Sequence, residues 1–372
     1  MYDIAIVGAG PAGATLARLI GERCKVLLID RRRLDADAPA GRGKCCGGLL
    51  APDAQKMLGR LGLGLPRAVL VEPQLFCVRA VEAPAGPARF YQRHYVNIDR
   101  EAFDRWLVSM VPAGVSARFG CRFEGLRRTG RGFCIGLRAG RTRFVERAAA
   151  VVGADGAGSI VRRHVTRRRV RSYVAVQDWY ETPAAPPHFG AVFDPDVTDF
   201  YAWTVPKRGA LIVGAALTPD CGARAKFDRL VGRLRSGGLR LGRRIRREAA
   251  PLLRPAGTSD LFTGRRGVAL IGEAAGFVSP SSGEGISYAL AGASLLAGAL
   301  AAGPAGAMGR YRRAAGRLKR DIAAKLLKSR LLYAPDVRRA LMASGLGAMP
   351  VGRRDKLPLA TRLSALAPGD IL

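Results

Sequence analysis

The sequence predicts an α/β protein in which a dinucleotide-binding domain is interleaved with a mixed β-sheet domain and followed by a basic helical tail. Three observations predict it. The chain opens on a βαβ pattern that ends in an acid. Two further glycine-rich strand-to-helix junctions recur far downstream, and alternating strand-like segments fill the stretches between them.

The opening unit reads Met1-Tyr-Asp-Ile-Ala-Ile-Val-Gly-Ala-Gly-Pro-Ala-Gly13, a short apolar strand running into Gly8-x-Gly10-Pro11-Ala12-Gly13. A helical stretch over 14–22 and a second strand over 25–30 follow, which makes a Rossmann-like unit. Gly8 permits a tight turn, Gly10 lets the backbone approach a pyrophosphate, and Gly13 lets helix and strand pack closely. The phosphates belong at the helix N-terminus, where unpaired N–H groups and the helix dipole favour anions. Asp30, seventeen residues after Gly13, is placed to accept hydrogen bonds from ribose hydroxyls.

At 372 residues and 48% hydrophobic content the chain has ample core for an enzyme. Its net charge is +32, with 52 Arg against 9 Lys spread along the whole length. Two readings stand: codon bias toward Arg, and affinity for an anionic membrane surface or lipid phosphate. A nucleic-acid partner is not expected, because no recognition module or aromatic platform is visible. Seven cysteines form no CxxC and no Cys/His spacing for a metal, so no metal site is expected. The first strand begins at residue 2 with no signal peptide before it, so a cytoplasmic location is expected, peripheral to the membrane if the charge serves that purpose. Residues 285–309 carry no charge, yet their small side chains, Pro304 and Gly306 read as a helix packed against a sheet rather than a membrane span.

Along the chain, a basic loop (Arg31-Arg-Arg33) leads to Gly43-Lys44-Cys45-Cys46-Gly47-Gly48, where paired glycines suggest backbone lying against a flat group. Residues 53–61 read as helix; 69–71, 75–81 and 89–91 as strands; and 97–107 as a helix capped by Asp99 or Asn97, with Phe103, Trp106 and Leu107 on its apolar side. Strand-like pieces recur over 116–145, then at 173–177, 200–205 and 210–214. A basic helical region is expected over roughly 223–249, and a strand over 267–272. The expected division is a nucleotide domain from 1–60, 95–165 and 255–303, a substrate domain from 61–94 and 166–254, and a basic helical region from 304–372.

Three junctions in this order, Gly8–Gly13, Gly153-Ala-Asp155-Gly156 and Gly272-Glu273-Ala-Ala, resemble the flavoprotein fold of the p-hydroxybenzoate hydroxylase and geranylgeranyl reductase superfamily. The Lys44-Cys-Cys-Gly-Gly48 loop and Tyr201-Ala-Trp203-Thr-Val-Pro206-Lys207 resemble its geranylgeranyl reductase branch. Cys-Gly-Gly-Leu-Leu-Ala-Pro-Asp-Ala-Gln (46–55) and Gly-Glu-Ala-Ala-Gly-Phe (272–277) are most similar to the CbrA family of FAD-binding oxidoreductases. The resemblance spans nearly the whole chain. It implies a Rossmann-like FAD-binding domain interleaved with a mixed β-sheet substrate domain, and FAD as cofactor. One departure is Glu273, where the superfamily has the Asp that partners the ribityl chain.

Within that resemblance Arg31, Lys44, Cys45, Gly47 and Gly48 fall beside the cofactor, and Arg100 near its phosphates or ribityl, where a guanidinium fork suits bidentate contacts. As plain structure, Arg100 would be a solvated helix-end arginine. Asp155 and Gly156 form a turn aimed at the cofactor or the nicotinamide donor, or an ordinary turn. Pro280 shapes the turn beside the ring, and Gly283, Gly285 and Ile286 open a helix whose dipole favours negative charge on the reduced flavin. Cys46, Tyr201 and Trp203 are the catalytic candidates. Cys46 or Tyr201 would supply a proton, and Tyr201 and Trp203 share one strand face over the flavin. The competing readings are small core thiols and an aromatic core stripe.

The function that follows is an FAD-dependent oxidoreductase that saturates C=C bonds of a prenyl or polyprenyl lipid, with NAD(P)H or a reduced carrier as electron donor. The alternative is a flavin monooxygenase or halogenase acting through a C4a-(hydro)peroxide, since Tyr201-x-Trp203-x-Val-Pro is similar to the Trp-x-Trp-x-Ile-Pro of flavin halogenases. A flavin-binding protein without turnover is the third reading. In the tail, Leu318, Ile322 and Leu326 recur at helical spacing among cations over 310–333. That pattern fits a helix packed on the protein or one facing an anionic bilayer.

Overall fold

A computed structural model describes residues 1–35 and 44–349. The two sheets within it draw strands from both halves of the chain. The first sheet runs in the order Gly264–Arg265, Val268–Leu270, Thr142–Gly153, Tyr2–Val7, Val26–Ile29, Ser116–Arg118. The Cys121–Thr129 and Gly132–Ala139 hairpin joins it through Thr142–Gly153. Tyr2–Val7 pairs in parallel with strands on both sides, Ile6 facing Leu28 and Val152. Ile4 to Val7 and Val26 to Ile29 are all buried, the near-continuous apolar signature of a sheet covered on both faces.

Two helices, Pro11–Ile20 and Ile286–Ala301, pack on each other beside this sheet. Their small residues permit the close approach. Gly292 of the second helix, for its part, faces the Gly272 backbone and the Ile271 side chain of the third glycine-rich junction. The uncharged stretch after Gly285 is thus a buried helix, and no helix among the described residues is long and apolar enough to cross a membrane.

The second sheet runs Arg244–Leu253, Ser172–Glu181, Ala210–Leu217, Ala202–Lys207, Phe189–Phe193, Leu75–Glu82, Ala88–Asn97, Leu49–Leu50. Phe189–Phe193 and Leu75–Glu82 pair in parallel; the other described pairings are antiparallel. One face packs Leu211, Val213 and Ala215 on Phe227, Leu230 and Val231 of the helix Ala223–Ser236. The opposite face carries Tyr173, Ala175, Trp203, Val205 and Ile212.

Several expected elements differ. The basic stretch 223–249 is helical only over Ala223–Ser236. Gly238, at φ +88°, turns the chain left-handed, and Arg244–Leu253 then forms an edge strand whose Arg247 pairs with buried Asp178 and whose Glu248 accepts from Gln177 and Trp179. Residues 69–71 are no strand: Arg67–Val69 is a 3₁₀ turn after Pro66, and only Leu70 bridges Ile98. The helix cap is Asp99, which accepts from the amides of Glu101 and Ala102, while Asn97 is buried at the end of a strand.

The tail is not one helix over 310–333. It divides at Ala315 into Ala307–Ala314 and Gly316–Leu332. Leu318, Ile322 and Leu326 pack against the core of the first sheet, so that stripe faces inward. What remains outside is a different row, Leu327, Leu331, Val337 and Leu341. The last described helix, Pro335–Ser344, crosses to the second sheet. There buried Arg338 makes a bidentate ion pair with buried Glu82 at 2.5 and 2.9 Å, and Arg89 donates to Ala343 O at 3.2 Å. Gly43 and the basic residues beyond 349 lie outside the described residues.

Candidate active site

The nucleotide cradle is built from glycines with distinct tasks. A Cβ on Gly8 (φ +103°) would meet Ala154 O at 2.4 Å, and one on Gly13 would meet Gly8 O at 1.8 Å. Gly10 has nothing within 4 Å, so the space beside it is open for a ligand. Gly10 caps the helix without any side chain, and Pro11 occupies the first helical turn. The first-turn amides of Ala12 and Gly13 therefore keep their donor capacity toward that space. Buried Asp30 takes the Ala9 amide on Oδ2 and the Arg32 amide on Oδ1, both at 2.8 Å. Arg31 is exposed. Its neighbour Arg32 is the engaged residue, bridging Asp30 and Asp104.

The second junction places Asp155 differently from its expected aim at the cofactor. Its carboxylate accepts from Ser159 Oγ (2.5 Å) and the amides of Ile160 (2.7 Å) and Val161 (3.1 Å), capping the helix Ile160–Val165. Gly156 turns left-handed at φ +74° beside it. Burial pushes the Asp155 carboxyl up against those hydrogen bonds. Glu273, at the third junction, is held by the Leu253 amide on Oε1 (3.1 Å) and by Lys44 Nζ on Oε2 (3.2 Å). That ion pair ties the 44–48 loop to the third junction.

The two cysteines separate sharply. Cys45 donates its thiol to Ala175 O on the second sheet (3.6 Å), and burial pushes its pKa up to about 12. Cys46 Sγ instead accepts from the Gly48 amide (3.4 Å), and the guanidinium of Arg100, which is 10% exposed, lies beside it. Arg100 also holds Asp104 Oδ1 through Nε at 3.0 Å. Burial disfavours both charges, yet each sustains the other: Arg100 stays firmly protonated, and Asp104 lies below the usual carboxylate range. A charged chain thus runs Asp30–Arg32–Asp104–Arg100 and ends at the Cys46 sulfur.

Lys207, absent from the sequence candidates, lies on the other side of this loop. Its Nζ donates to Asn97 Oδ1 (2.5 Å), Ile98 O (2.8 Å) and Gly48 O (3.3 Å). Burial pushes its pKa down to about 8. Gly48, at φ +62°, has room for no side chain, because a Cβ would lie 2.3 Å from Ile98 O and 2.7 Å from Lys207 Nζ.

Tyr201 and Trp203 do share a face, with ring centroids 5.7 Å apart. Tyr201 donates its hydroxyl to Ser282 O at 2.7 Å, and burial pushes its pKa up. It grips the 280–285 loop rather than standing free. Trp203 lies over Gly214, whose added Cβ would meet the indole at 2.3 Å. Gly214 pairs on its other side with Gln177. Trp203 Nε1 and Gln177 Oε1 are both buried without a hydrogen-bond partner among the described residues, a donor and an acceptor in one row of the sheet. Gln177 Nε2 meanwhile reaches Cys46 O at 3.3 Å and Glu248 at 2.7 Å.

In the 280–285 loop, Pro280 O receives Arg254 Nε and Ser329 Oγ, both at 3.1 Å. Gly283 (φ +67°) packs beside Leu252 and Phe200. Gly285 opens the Ile286–Ala301 helix, Ile286 packs under it, and Glu284 caps the turn through the Ser287 amide (2.7 Å) and hydroxyl (2.5 Å). Burial pushes Glu284 up despite those bonds. No group of metal-binding side chains occurs among the described residues.

Residues 1–226 match the model of the FAD binding domain. Protein CbrA of Escherichia coli O6:H1 is 38% identical over 350 residues, covering 94% of this chain and 95% of that one. The chain belongs to the CbrA family of FAD-binding proteins. Its fold is shared with a geranylgeranyl bacteriochlorophyll reductase-like protein of Thermoplasma acidophilum (TM-score 0.79, 19% identity, 99% of this chain and 96% of that one). It is also shared with PqsL, a probable FAD-dependent monooxygenase of Pseudomonas aeruginosa (TM-score 0.66, 23% identity, 93% and 99%). This CbrA-family chain thus has the p-hydroxybenzoate hydroxylase type of fold, and FAD is its cofactor. The open space at Gly10 and the uncapped helix start fit the pyrophosphate of that group, whereas both Asp30 oxygens are taken up by Ala9 and Arg32 rather than standing open toward a ribose.

Proposed function

We propose that this CbrA-family protein reduces C=C bonds of a prenyl or polyprenyl lipid, with NAD(P)H or a reduced carrier as the source of electrons. The observation that carries the reading is Cys46: a thiol held by the Gly48 amide, with the Arg100 guanidinium beside it, near a sheet face made of Tyr95, Phe189, Tyr201 and Trp203. Bound FAD, once reduced, supplies a hydride. The protein must supply an apolar channel and one proton. The aromatic face offers apolar contact to an isoprenoid chain and excludes water. Cys46 gives its S–H proton to the alkene carbon that does not receive the hydride, which leaves a thiolate facing the Arg100 guanidinium. Water admitted on product release returns a proton to that sulfur. Tyr201, its hydroxyl spent on Ser282 O, keeps the loop in place.

The test is anaerobic mixing of the reduced, FAD-loaded protein with a polyprenyl lipid, followed by oxygen. Reoxidation of the flavin by the lipid alone supports alkene reduction. Product formed only with oxygen supports the second reading, a flavin monooxygenase or halogenase, which the fold shared with PqsL and the halogenase CmlS favours. Binding without reoxidation supports a lipid-binding flavoprotein. We propose further that the substrate enters from an anionic bilayer, where the exposed row Leu327, Leu331, Val337 and Leu341 lies among cations such as Lys328 and Arg339.

A further inference from the structure

Beside the second sheet, a cleft of about 330 Å³ opens between the C-terminal half of the Gly316–Leu332 helix and the edge where Ser172–Glu181 begins and Arg244–Leu253 ends. Arg171, Arg254 and Arg330 line it together with Asp199, Ser329 and Tyr333. Three guanidiniums thus face one carboxylate. That carboxylate is already committed, taking Arg171 Nη2 at 2.6 Å and the Tyr173 hydroxyl at 2.9 Å.

Arg254 is the unusual member. It is 9% exposed and lies against the adjoining rings of Phe200 and Tyr333, at 4.2 and 4.3 Å from their centroids. Nε donates to Pro280 O (3.1 Å), Nη1 to Tyr173 Oη (3.1 Å) and Asp199 O (3.2 Å), and Nη2 to Ser329 Oγ (3.1 Å). These are neutral oxygens, and no carboxylate among the described residues pairs with it. A buried cation without a counter-ion is costly, and a guanidinium has five donors, of which four are used here. Arg330, exposed at the mouth, likewise has no carboxylate partner among the described residues.

We propose that this cleft binds a phosphate or diphosphate group, with Arg254 as its buried counter-charge and Arg330 as the residue that closes over it. Planar forked donors suit tetrahedral oxyanions. The site also communicates with the cofactor. Arg254 and Ser329 hold Pro280 O, and Tyr333 donates to Ser281 O at 2.8 Å. Three lining residues therefore grip the loop that opens the helix beside the flavin. The inference rests on FAD binding and not on alkene reduction, so it is tested without any alkene.

Titrate inorganic pyrophosphate into the FAD-loaded full chain by calorimetry while recording the flavin absorption spectrum. One site should appear, weakening as salt rises, with a spectral change that saturates at the same concentration. Arg330→Gln should weaken both about tenfold, the loss of one charge-assisted contact of roughly 1.4 kcal/mol. It should leave FAD content unaltered, while Arg122→Gln on the distant hairpin changes neither. Vesicles containing phosphatidic acid provide the second arm. Arg330-dependent binding of pyrophosphate identifies a free phosphate or diphosphate compound, and Arg330-dependent binding of vesicles alone identifies a lipid headgroup. No binding of either probe at low salt overturns the site, as does equal affinity in wild type and Arg330→Gln. Binding without a spectral change overturns the link to the loop.

Discussion

Arg100 lays its guanidinium against the sulfur of Cys46 while its Nε holds Asp104 at 3.0 Å. Cys45, one residue earlier, turns the other way and gives its thiol to Ala175 O. Two adjacent cysteines therefore have unequal standing. Cys46→Ser should retain FAD and slow oxidation of the reduced flavin by substrate by on the order of 10²-fold, the lower range for loss of a positioned acid. Cys45→Ser should stay within about twofold of wild type. Stopped-flow flavin reoxidation under anaerobic conditions reads both, and equal rates for all three proteins would assign the pair to packing.

The glycine fingerprint separates cofactor binding from folding. A side chain at Gly10 meets nothing within 4 Å, whereas one at Gly13 lands 1.8 Å from Gly8 O. Gly10→Val should give a folded, colourless protein whose melting temperature matches FAD-stripped wild type. Gly13→Val should fail at the fold itself. Flavin absorbance and circular dichroism melting distinguish them, and full FAD occupancy in Gly10→Val would place the pyrophosphate elsewhere.

Lys207 makes stability depend on pH in a defined direction. Burial holds its folded pKa near 8, against 10.5 for an exposed lysine. Between those values the unfolded chain binds the extra proton, so stability rises as pH increases through that window, by about 3 kcal/mol at most. Below pH 8 both states are protonated and this contribution is flat. Lys207→Met removes the slope and leaves Asn97 Oδ1 and Ile98 O without a donor, at a cost of about 1–3 kcal/mol. Urea midpoints of wild type and variant from pH 7 to 10.5 give the difference; parallel curves would contradict the assignment.

The tail offers two opposed leucine rows. Ile322 is fully buried against the first sheet, and Ile322→Ala should cost about 2–5 kcal/mol. Leu327 and Leu331 are exposed, so replacing both by Ser should barely change stability. If the surface meets an anionic bilayer, that double variant should sediment less with anionic liposomes. The same holds for Gln at Arg312, Arg313, Lys319 and Arg320, because each basic residue contributes about 1 kcal/mol within a Debye length of ~8 Å. Wild-type protein that ignores anionic liposomes at low salt would make the charge structural.

What the sequence disclosed was mostly local. The fingerprint, the capped helix after Asp99 and the uncharged helix after Gly285 are written in contiguous residues, and so was the family. What escaped depends on partners brought from afar. Lys207 reads as a surface lysine at the end of a strand until Asn97, 110 positions away, covers it. Arg254 is one arginine among 52 until Phe200 and Tyr333 pack against it. Arg31 and Arg32 are indistinguishable in a run of three, and only the position of Asp104 selects Arg32. Arg244–Leu253 looked helical because arginine favours helices, although Gly237-Gly238 marked the break.

The weave of the two sheets dictates when this protein can form. Thr142–Gly153 waits for Val268–Leu270 to cover its open side, and Ser172–Glu181 waits for Arg244–Leu253. Glu82, an interior carboxylate, has no counter-charge until Arg338 arrives 256 residues later. On a ribosome that emits the N-terminus first, the early strands would be exposed, edge-on and sticky, through most of synthesis. The interior therefore closes only after the helix Pro335–Ser344 has been made.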